Sequence, residues 1–576
     1  MELAALLAQL ERNQLVRALE QNEYLFKHAL VQDTAYASLL KNERKRLHRA
    51  IGKALEREEP NAQNESAALL AKHFLEAGDD AEILMYATRA GDAEARIFAK
   101  AEALEHYRAA LDAALRLDSE RETIIALVTK LGRMYELRDE YTRALETYRG
   151  LIELARERND ARLELAGLLL QAVLRATPTA LFDPRRGREI CDRALALARA
   201  LKDGAAEAKT LWCLLLLNGF TGNARAAVEY GEQSLALARQ LNLKMQSAYT
   251  LNDLANYGYF AVGQSEKSRA ASAAAQALWR DLEILPMLAD NLNSAGVLEY
   301  CWGDYARAQV LSDQALEISE RIGSLWGQGL ARSFRGLRLI EAGAYGRALD
   351  ELRRGYEIAR QTGTGIALIA ATNLALAYTF VGEIELGYRV IQIAQTEIEI
   401  PLYRAPAKAA LAYLVFLRGE PERAQSILQD AHRHAQAELE FSYMPSIIVQ
   451  GEIGLARGRE AQVVEYMETL AAYLIQLGLE SFIADADLYR GRALARLRHF
   501  AAARAAFERA QSYAARVGSR RALWQIYARW SQFERAQKNV ERANELDARA
   551  YTLIDSIAAT LPEEYRAGFL LTTQRE

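Results

Sequence analysis

Residues 294–324 read SAGVLEYCWGDYARAQVLSDQALEISERIGS. Apolar residues recur three and four apart on both sides of Gly303, so the stretch predicts two amphipathic helices, separated at Gly303-Asp304 and closed at Gly323. Gly296 is the narrow point of the first helix, and Ala308, twelve residues on, faces it from the second. Without a side chain at Gly296 the two backbones can approach closely.

The same spacing recurs along the chain. Gly91 and Gly132, Gly296 and Gly336, and Gly451 and Gly491 form a column at intervals of 40 or 41, with Ala255, Ala375 and Ala412 near other expected places. Twelve residues on come Ala103, Ala144, Ala308, Ala348, Ala424 and Ala503, and four further on come Tyr107, Tyr148, Leu352, Leu428 and Phe507. The bulky residue is expected to fill the space beside the helix contact. Glycines at Gly303, Gly343, Gly382 and Gly419 suit left-handed helix caps. A second set of breaks closes the hairpins: ARERND (155–160), ARQLNL (238–243), SERIGS (319–324), ARQTGTG (359–365) and AARVGS (514–519). Outside Tyr24 to Lys27 no useful alternation of apolar and polar residues occurs, so the fold class expected is all-α. A period near 40 leaves helices of about 16–17 residues, about 25 Å long. Such hairpins bury their apolar faces only by stacking, which predicts a right-handed superhelical solenoid. Whether it stays an open spiral or closes on itself is not decided by the pattern. The expected segments are 1–60, connecting helices at 61–83, an array of roughly twelve hairpins over 84–555, and a cap over 556–576.

With 576 residues, 51% of them hydrophobic and only nine prolines, disorder and small stapled scaffolds are excluded. Seventy-two basic against 76 acidic residues speaks against a whole-chain nucleic-acid or membrane binder. Cys191, Cys213 and Cys301 are odd in number and far apart, which predicts buried thiols in a reducing cytoplasm and no zinc site. The N-terminus has no signal-peptide pattern, and the uncharged run Ile366 to Val381 is too short to span a bilayer and predicts a buried helix. A cytoplasmic location is expected.

KLGRMYELRDEYTRALETYRGLIELA (130–155), the segment at 294–319, and GRALARLRHFAAARAAFERAQSYAA (491–515) resemble tetratricopeptide repeats, in the extended version near 40 residues that bacterial signal-transduction ATPases with numerous domains carry. The segment TPTALFDPRRG (177–187) departs from the pattern. EYLFKHALVQDTAYASLLKNERKRLHRAIGKALE (23–56) resembles the end of the winged-helix region and linker helices of these ATPases, maltose-regulon-activator-like and cyclase-associated, and IAATLPEEYRAGFL (557–570) is similar to their terminal segment. The resemblance implies a small winged-helix-like N-terminal segment and an upstream ATPase domain in the intact protein, of which this chain is the C-terminal portion or a stand-alone derivative.

No GxxxxGK[ST], HExxH or GxSxG motif is present, and Gly52-Lys53 lies in a helical stretch, so no catalytic residue, cofactor or metal ligand is expected. His432 and His434 are two apart and point to different helix faces, while His28 and His48 are expected to fix packing between N-terminal helices. Lys41, Arg44, Lys45, Arg46, His48, Arg49 and Lys53 interleave with Leu40, Leu47, Ile51 and Leu55, the pattern of an amphipathic helix with a cationic outer face.

In tetratricopeptide hairpins the first helices line the concave wall, with exposed positions three before and one, four or five after the small residue. Around Ala255 this gives Asn252, Asn256, Tyr259 and Phe260, and around Gly296 it gives Asn293 and Tyr300, with Asp290 a turn earlier; Trp212 and Tyr249 fall on the same wall. Asparagine is a poor helix former, so its repetition inside helices needs a reason. LNDLA (251–255) and TNLALAY (372–378) resemble asparagine-bearing first helices of peptide-binding repeats such as those of kinesin light chain. Amides offer donor and acceptor to a peptide backbone or polyol, and rings supply contact area. The same amides also suit a purely structural ladder between neighbouring helices, and the sequence leaves both open. The expected function is a non-catalytic recognition or sensing module for a protein, peptide or small polar ligand. A constitutive scaffold with self-association and a sugar or metabolite receptor are the alternatives.

Overall fold

The computed structural model describes residues 2–19, 23–58, 66–97, 99–138, 140–179, 181–362, 365–397, 404–434 and 443–575. They form 29 α-helices and one β-hairpin, in two compact units, residues 1–167 and 168–576.

The first unit runs α1 (Glu2–Arg12), β1 (Val16–Ala18), β2 (Tyr24–Phe26), α2 (Ala29–Ser38), α3 (Lys41–Glu58), α4 (Ala67–Ala77), α5 (Asp80–Arg96), α6 (Lys100–Arg116), α7 (Arg121–Glu136), α8 (Tyr141–Glu157) and the start of α9 (Ala161–Ala176). β2 pairs antiparallel with β1, Val16 opposite Phe26. The three residues of β1 are too few for alternation to reveal them. His48 joins helices as expected, with Nδ1 2.9 Å from His73 Nδ1 on α4 and Nε2 3.0 Å from Tyr36 on α2. His28 differs: it is exposed at the start of α2 and its side chain makes no capping bond. The cationic face of α3 holds Asp79 through Arg49 Nε at 2.7 Å. Its apolar face differs from expectation, for Leu47 and Ile51 are open to solvent, as is Leu40 just ahead of the helix, 71% exposed. α2 buries no residue at all. The side chains of His432 and His434 lie outside the described residues.

The second unit continues with α10 (Pro184–Ala200), α11 (Gly204–Phe220), α12 (Ala224–Gln240), α13 (Lys244–Asp253), a π-helical turn (Leu254–Tyr259), α14 (Ser265–Asp281), α15 (Leu285–Trp302), α16 (Tyr305–Arg321), α17 (Leu325–Glu341), α18 (Tyr345–Arg360), α19 (Gly365–Phe380) and α20 (Ile384–Glu397). Then come α21 (Arg404–Leu417), α22 (Pro421–His434), α23 (Tyr443–Ala456), α24 (Glu460–Leu477), α25 (Glu480–Arg496), α26 (Phe500–Val517), α27 (Arg520–Ala536), α28 (Val540–Ala559) and α29 (Glu563–Arg575). The chain is an all-α solenoid of stacked hairpins. The departure at 177–187 is a longer loop that ends where Asp183 caps α10, accepting from the Arg186 N–H, with Pro184 at the first helical position. α19 is the buried helix expected over Ile366 to Val381, and among the described residues no helix is long and apolar enough to cross a membrane. The three cysteines are buried and unbridged.

The small-residue column works more directly than the spacing suggests. A Cβ at Gly91 would stand 2.8 Å from the Tyr107 ring, and one at Gly336 would run into Leu352. The bulky residue sits on the glycine itself, because the helices are close enough for it to cap the bare Cα. Gly451 departs from the column, its missing Cβ pointing at Tyr489 of α25 in the next hairpin.

Within the second unit, hairpins far apart in sequence touch. Ser481 Oγ donates to the Tyr300 carbonyl, Ser519 Oγ to the Glu341 carboxylate, and Trp524 Nε1 to Tyr345 Oη at 3.3 Å, the partners standing 178 to 181 residues apart. Gly382, at φ 82°, admits the Gly568 carbonyl where a Cβ would lie only 2.7 Å from it. Tyr345, Phe380, Trp524 and Phe569 pack together at this contact. At its centre Arg521, fully buried, donates to Glu341 Oε1 at 2.9 Å and to both oxygens of Asp485 at 3.0 and 2.7 Å. The array therefore comes round far enough for α15 and α17 to meet α25 and α27.

Candidate functional site

The nine wall residues separate into two groups. Trp212 on α11, Tyr249 and Asn252 on α13, Asn256 in the π turn, and Asp290 and Asn293 on α15 belong to three successive first helices. The Tyr249 ring lies 5.7 Å from that of Trp212 and 4.9 Å edge-on from Trp279. The amides were expected to be exposed, yet Asn252, Asn256 and Asn293 are all buried. The physical reason is the close stacking of first helices, which turns these positions into the seams between neighbours.

Two residues outside the expected set organise the seam. Asp253 accepts from Trp212 Nε1 at 2.6 Å and from Asn252 Nδ2 at 2.9 Å, while Asn291 Nδ2 donates to Asn252 Oδ1 at 2.7 Å, joining α13 to α15. Asn256 Nδ2 donates to the Asn252 carbonyl at 2.9 Å. That carbonyl sits where the π turn widens the helix and departs from the i to i−4 pattern around it. The structural ladder thus accounts for Asn252 and Asn291, and a bond within its own helix accounts for Asn256. Neither accounts for Asn293, whose amide nitrogen and oxygen both lack a hydrogen-bond partner although the residue is only 1% exposed.

The other three residues leave the wall. At the end of the π turn the spacing from Ala255 no longer holds, and Tyr259 Oη reaches Glu232 on α12 at 3.0 Å while Phe260 packs 5.6 Å from the Trp302 ring. Tyr300, at the far end of α15, stacks on Tyr305 and meets Phe482 of α25 edge-on, so it serves the contact between distant hairpins.

Asp253 and Asp290 bring two carboxyl groups together in the wall with no cation among the described residues acting on either. Desolvation pushes the Asp253 carboxyl up to about 6, with the bonds from Trp212 and Asn252 pulling the other way. Desolvation, reinforced by the Asp253 charge, pushes Asp290 up to about 7. Asp290 is partly exposed, and neither carboxylate has an ion-pair partner among the described residues. The sequence carries a signal for this pair that residue spacing alone passes over: no lysine or arginine occurs in residues 245–266 or 281–306. Among the described residues no group of three or more metal-ligating side chains occurs. A shallow hollow lined by Glu140, Tyr141, Thr142 and Arg143 lies in the first unit, where Arg143 already pairs with Glu140 at 2.7 Å.

Fold and site together define a helical-repeat protein with a polar seam set into its first helices. No family model matches the chain, and no curated protein matches it. Among solved structures it is similar to a Signal Transduction ATPase with Numerous Domains with a tetratricopeptide repeat sensor from Pyrococcus horikoshii, at 14% identity and a TM-score of 0.37, over 74% of this chain. This chain spans 57% of the length of that one. It is also similar to the APC/C hetero-tetramer Cut9-Hcn1, at 14% identity and a TM-score of 0.46, over 83% of this chain and 91% of that one.

Proposed function

We propose that the chain is a non-catalytic recognition module that binds a protein segment or small polar ligand along the first helices α11, α13 and α15. One observation carries this reading: α11, α13 and α15 hold a polar seam that includes an unsatisfied amide, Asn293, and, beside it, a carboxylate with no partner among the described residues, Asp290. Buried polar groups without partners cost stability, so their place in a close-packed wall favours a bound partner that satisfies them. In this reading residues 84–555 form the recognising array and 556–576 its cap, while residues 1–83, a winged-helix-like segment with its connecting helices, couple the array to a further domain such as a signalling ATPase. The open apolar faces of α2 and α3 support that coupling role.

The test is selection of peptides from a random display library on the immobilised full chain, followed by titration against wild type and Asn293→Ala. The expected outcome is a set of enriched peptides whose affinity falls at least about tenfold in the variant while its melting curve is unchanged. Enriched peptides that bind both forms equally, or no enrichment, would overturn the reading.

A further inference from the structure

Asp253 and Asp290 lie on neighbouring first helices, tied together through Asn252 and Asn291. Both oxygens of Asp253 already accept a hydrogen bond, whereas Asp290 accepts none among the described residues. Three residues beyond Asp290, on the same stripe of α15, stands Asn293 with its donor and its acceptor both unused. The rings of Trp212 on α11 and Tyr249 on α13 lie together on the two preceding first helices, with Trp212 bonded to Asp253. No cation contributes to the electrostatics of either carboxylate.

The missing groups define the ligand. Asp290 lacks a positive donor, Asn293 Oδ1 lacks a donor, and Asn293 Nδ2 lacks an acceptor. An ammonium with a carbonyl beside it supplies all three, since its N–H groups divide between the carboxylate and the amide oxygen and its carbonyl accepts from the amide nitrogen. A guanidinium brings donors alone. Calcium needs six or more oxygens, and this site offers one unengaged carboxylate and one amide oxygen. We propose that the Asp290–Asn293 stripe, backed by Asp253 and walled by Trp212 and Tyr249, binds a primary ammonium that carries a neighbouring carbonyl, as at the free N-terminus of a peptide or in an amino-acid amide. This rests on reading the wall as a binding surface.

Isothermal titration of the full chain at pH 7.5 with Gly-Ala-Ala-amide, its N-acetylated form, glycinamide and calcium chloride tests it. The free-amine tripeptide should bind, with acetylation or Asp290→Asn each weakening it at least about tenfold, the scale of one charge-assisted bond. Asp290→Asn removes no existing bond, so the variant should melt no lower than wild type. Glycinamide binding as tightly as the tripeptide would support the proposal and mark a small amino-acid derivative as the source; much weaker binding would mark a peptide. Equal binding of the acetylated peptide, calcium competing with the tripeptide, no loss in Asp290→Asn, or no binding by any amine would overturn it. If library-selected peptides bind through Asn293 whether or not they are acetylated, the recognition reading stands and only the ammonium proposal falls.

Discussion

Two pairs of acids are drawn into the second unit, and they are treated in opposite ways. Glu341 and Asp485 close on Arg521, and all three are almost fully buried. Burial pushes Glu341 up while the guanidinium pulls it down. Asp253 and Asp290 sit in a stretch without lysine or arginine and face no cation. A closed salt bridge fixes which helices meet, since leaving either partner alone is costly. The Asp253–Asp290 pair has no such cation: Asp253 is held by neutral donors alone and Asp290 accepts no bond among the described residues, which leaves the pair with a demand for positive charge that the joint has already met.

The contrast breaks most visibly at the joint. Arg521→Met should strand two buried carboxylates and cost about 3–5 kcal/mol, read as a lower urea midpoint for the second unit. Adding Glu341→Leu and Asp485→Leu should restore most of the loss, because an apolar trio has no charge to desolvate. A cost below about 1 kcal/mol for Arg521→Met would mean the two pairs do not differ as described. Next in size is the seam. Asn252→Ala cuts the bonds to Asp253 and Asn291 and should cost about 1–3 kcal/mol, whereas Asn293→Ala, which cuts none, should be neutral or slightly stabilising. Equal losses in chemical denaturation would make both amides part of one ladder.

The smallest effect sharpens the comparison through pH. Asp253 and Asp290 hold their protons to about 6 and about 7 in the fold, above the ordinary value of 3.8, so the native state binds more protons than the unfolded one between those limits. Their contribution to stability is therefore full at low pH and declines as pH rises from about 4 to about 7. The melting temperature of wild type should fall relative to an Asp253→Asn, Asp290→Asn double variant across that window and run parallel to it above. A constant difference would show that the two acids ionise as they do in the unfolded chain.

Most of the architecture was legible from spacing. Most members of the glycine column and the bulky residue sixteen positions on act within one hairpin, over distances a sequence displays, and the left-handed breaks at Gly303, Gly343 and Gly382 fall where glycine marks them, though Gly451 and Gly382 also meet residues of other hairpins. The site was legible in part. Trp212, Asn252, Asp290 and Asn293 came from register, but Asp253 and Asn291 lie at positions that an ideal repeat turns inward, and the π turn displaced Tyr259 and Phe260. The Arg521 joint could not be read, since Glu341 lies 180 residues away and each member resembles any other charged residue of an amphipathic helix.

α15 bears Asp290 and Asn293 in its first half, and its last turn is pinned to α25 through Tyr300 and Ser481. A free stack of hairpins stretches like a spring, each interface giving a little. Here the helix that carries the polar stripe is also tied at its far end to a hairpin 181 residues further on. Any shift of the last turn of α15 must therefore break the Ser481–Tyr300 bond or carry α25 with it.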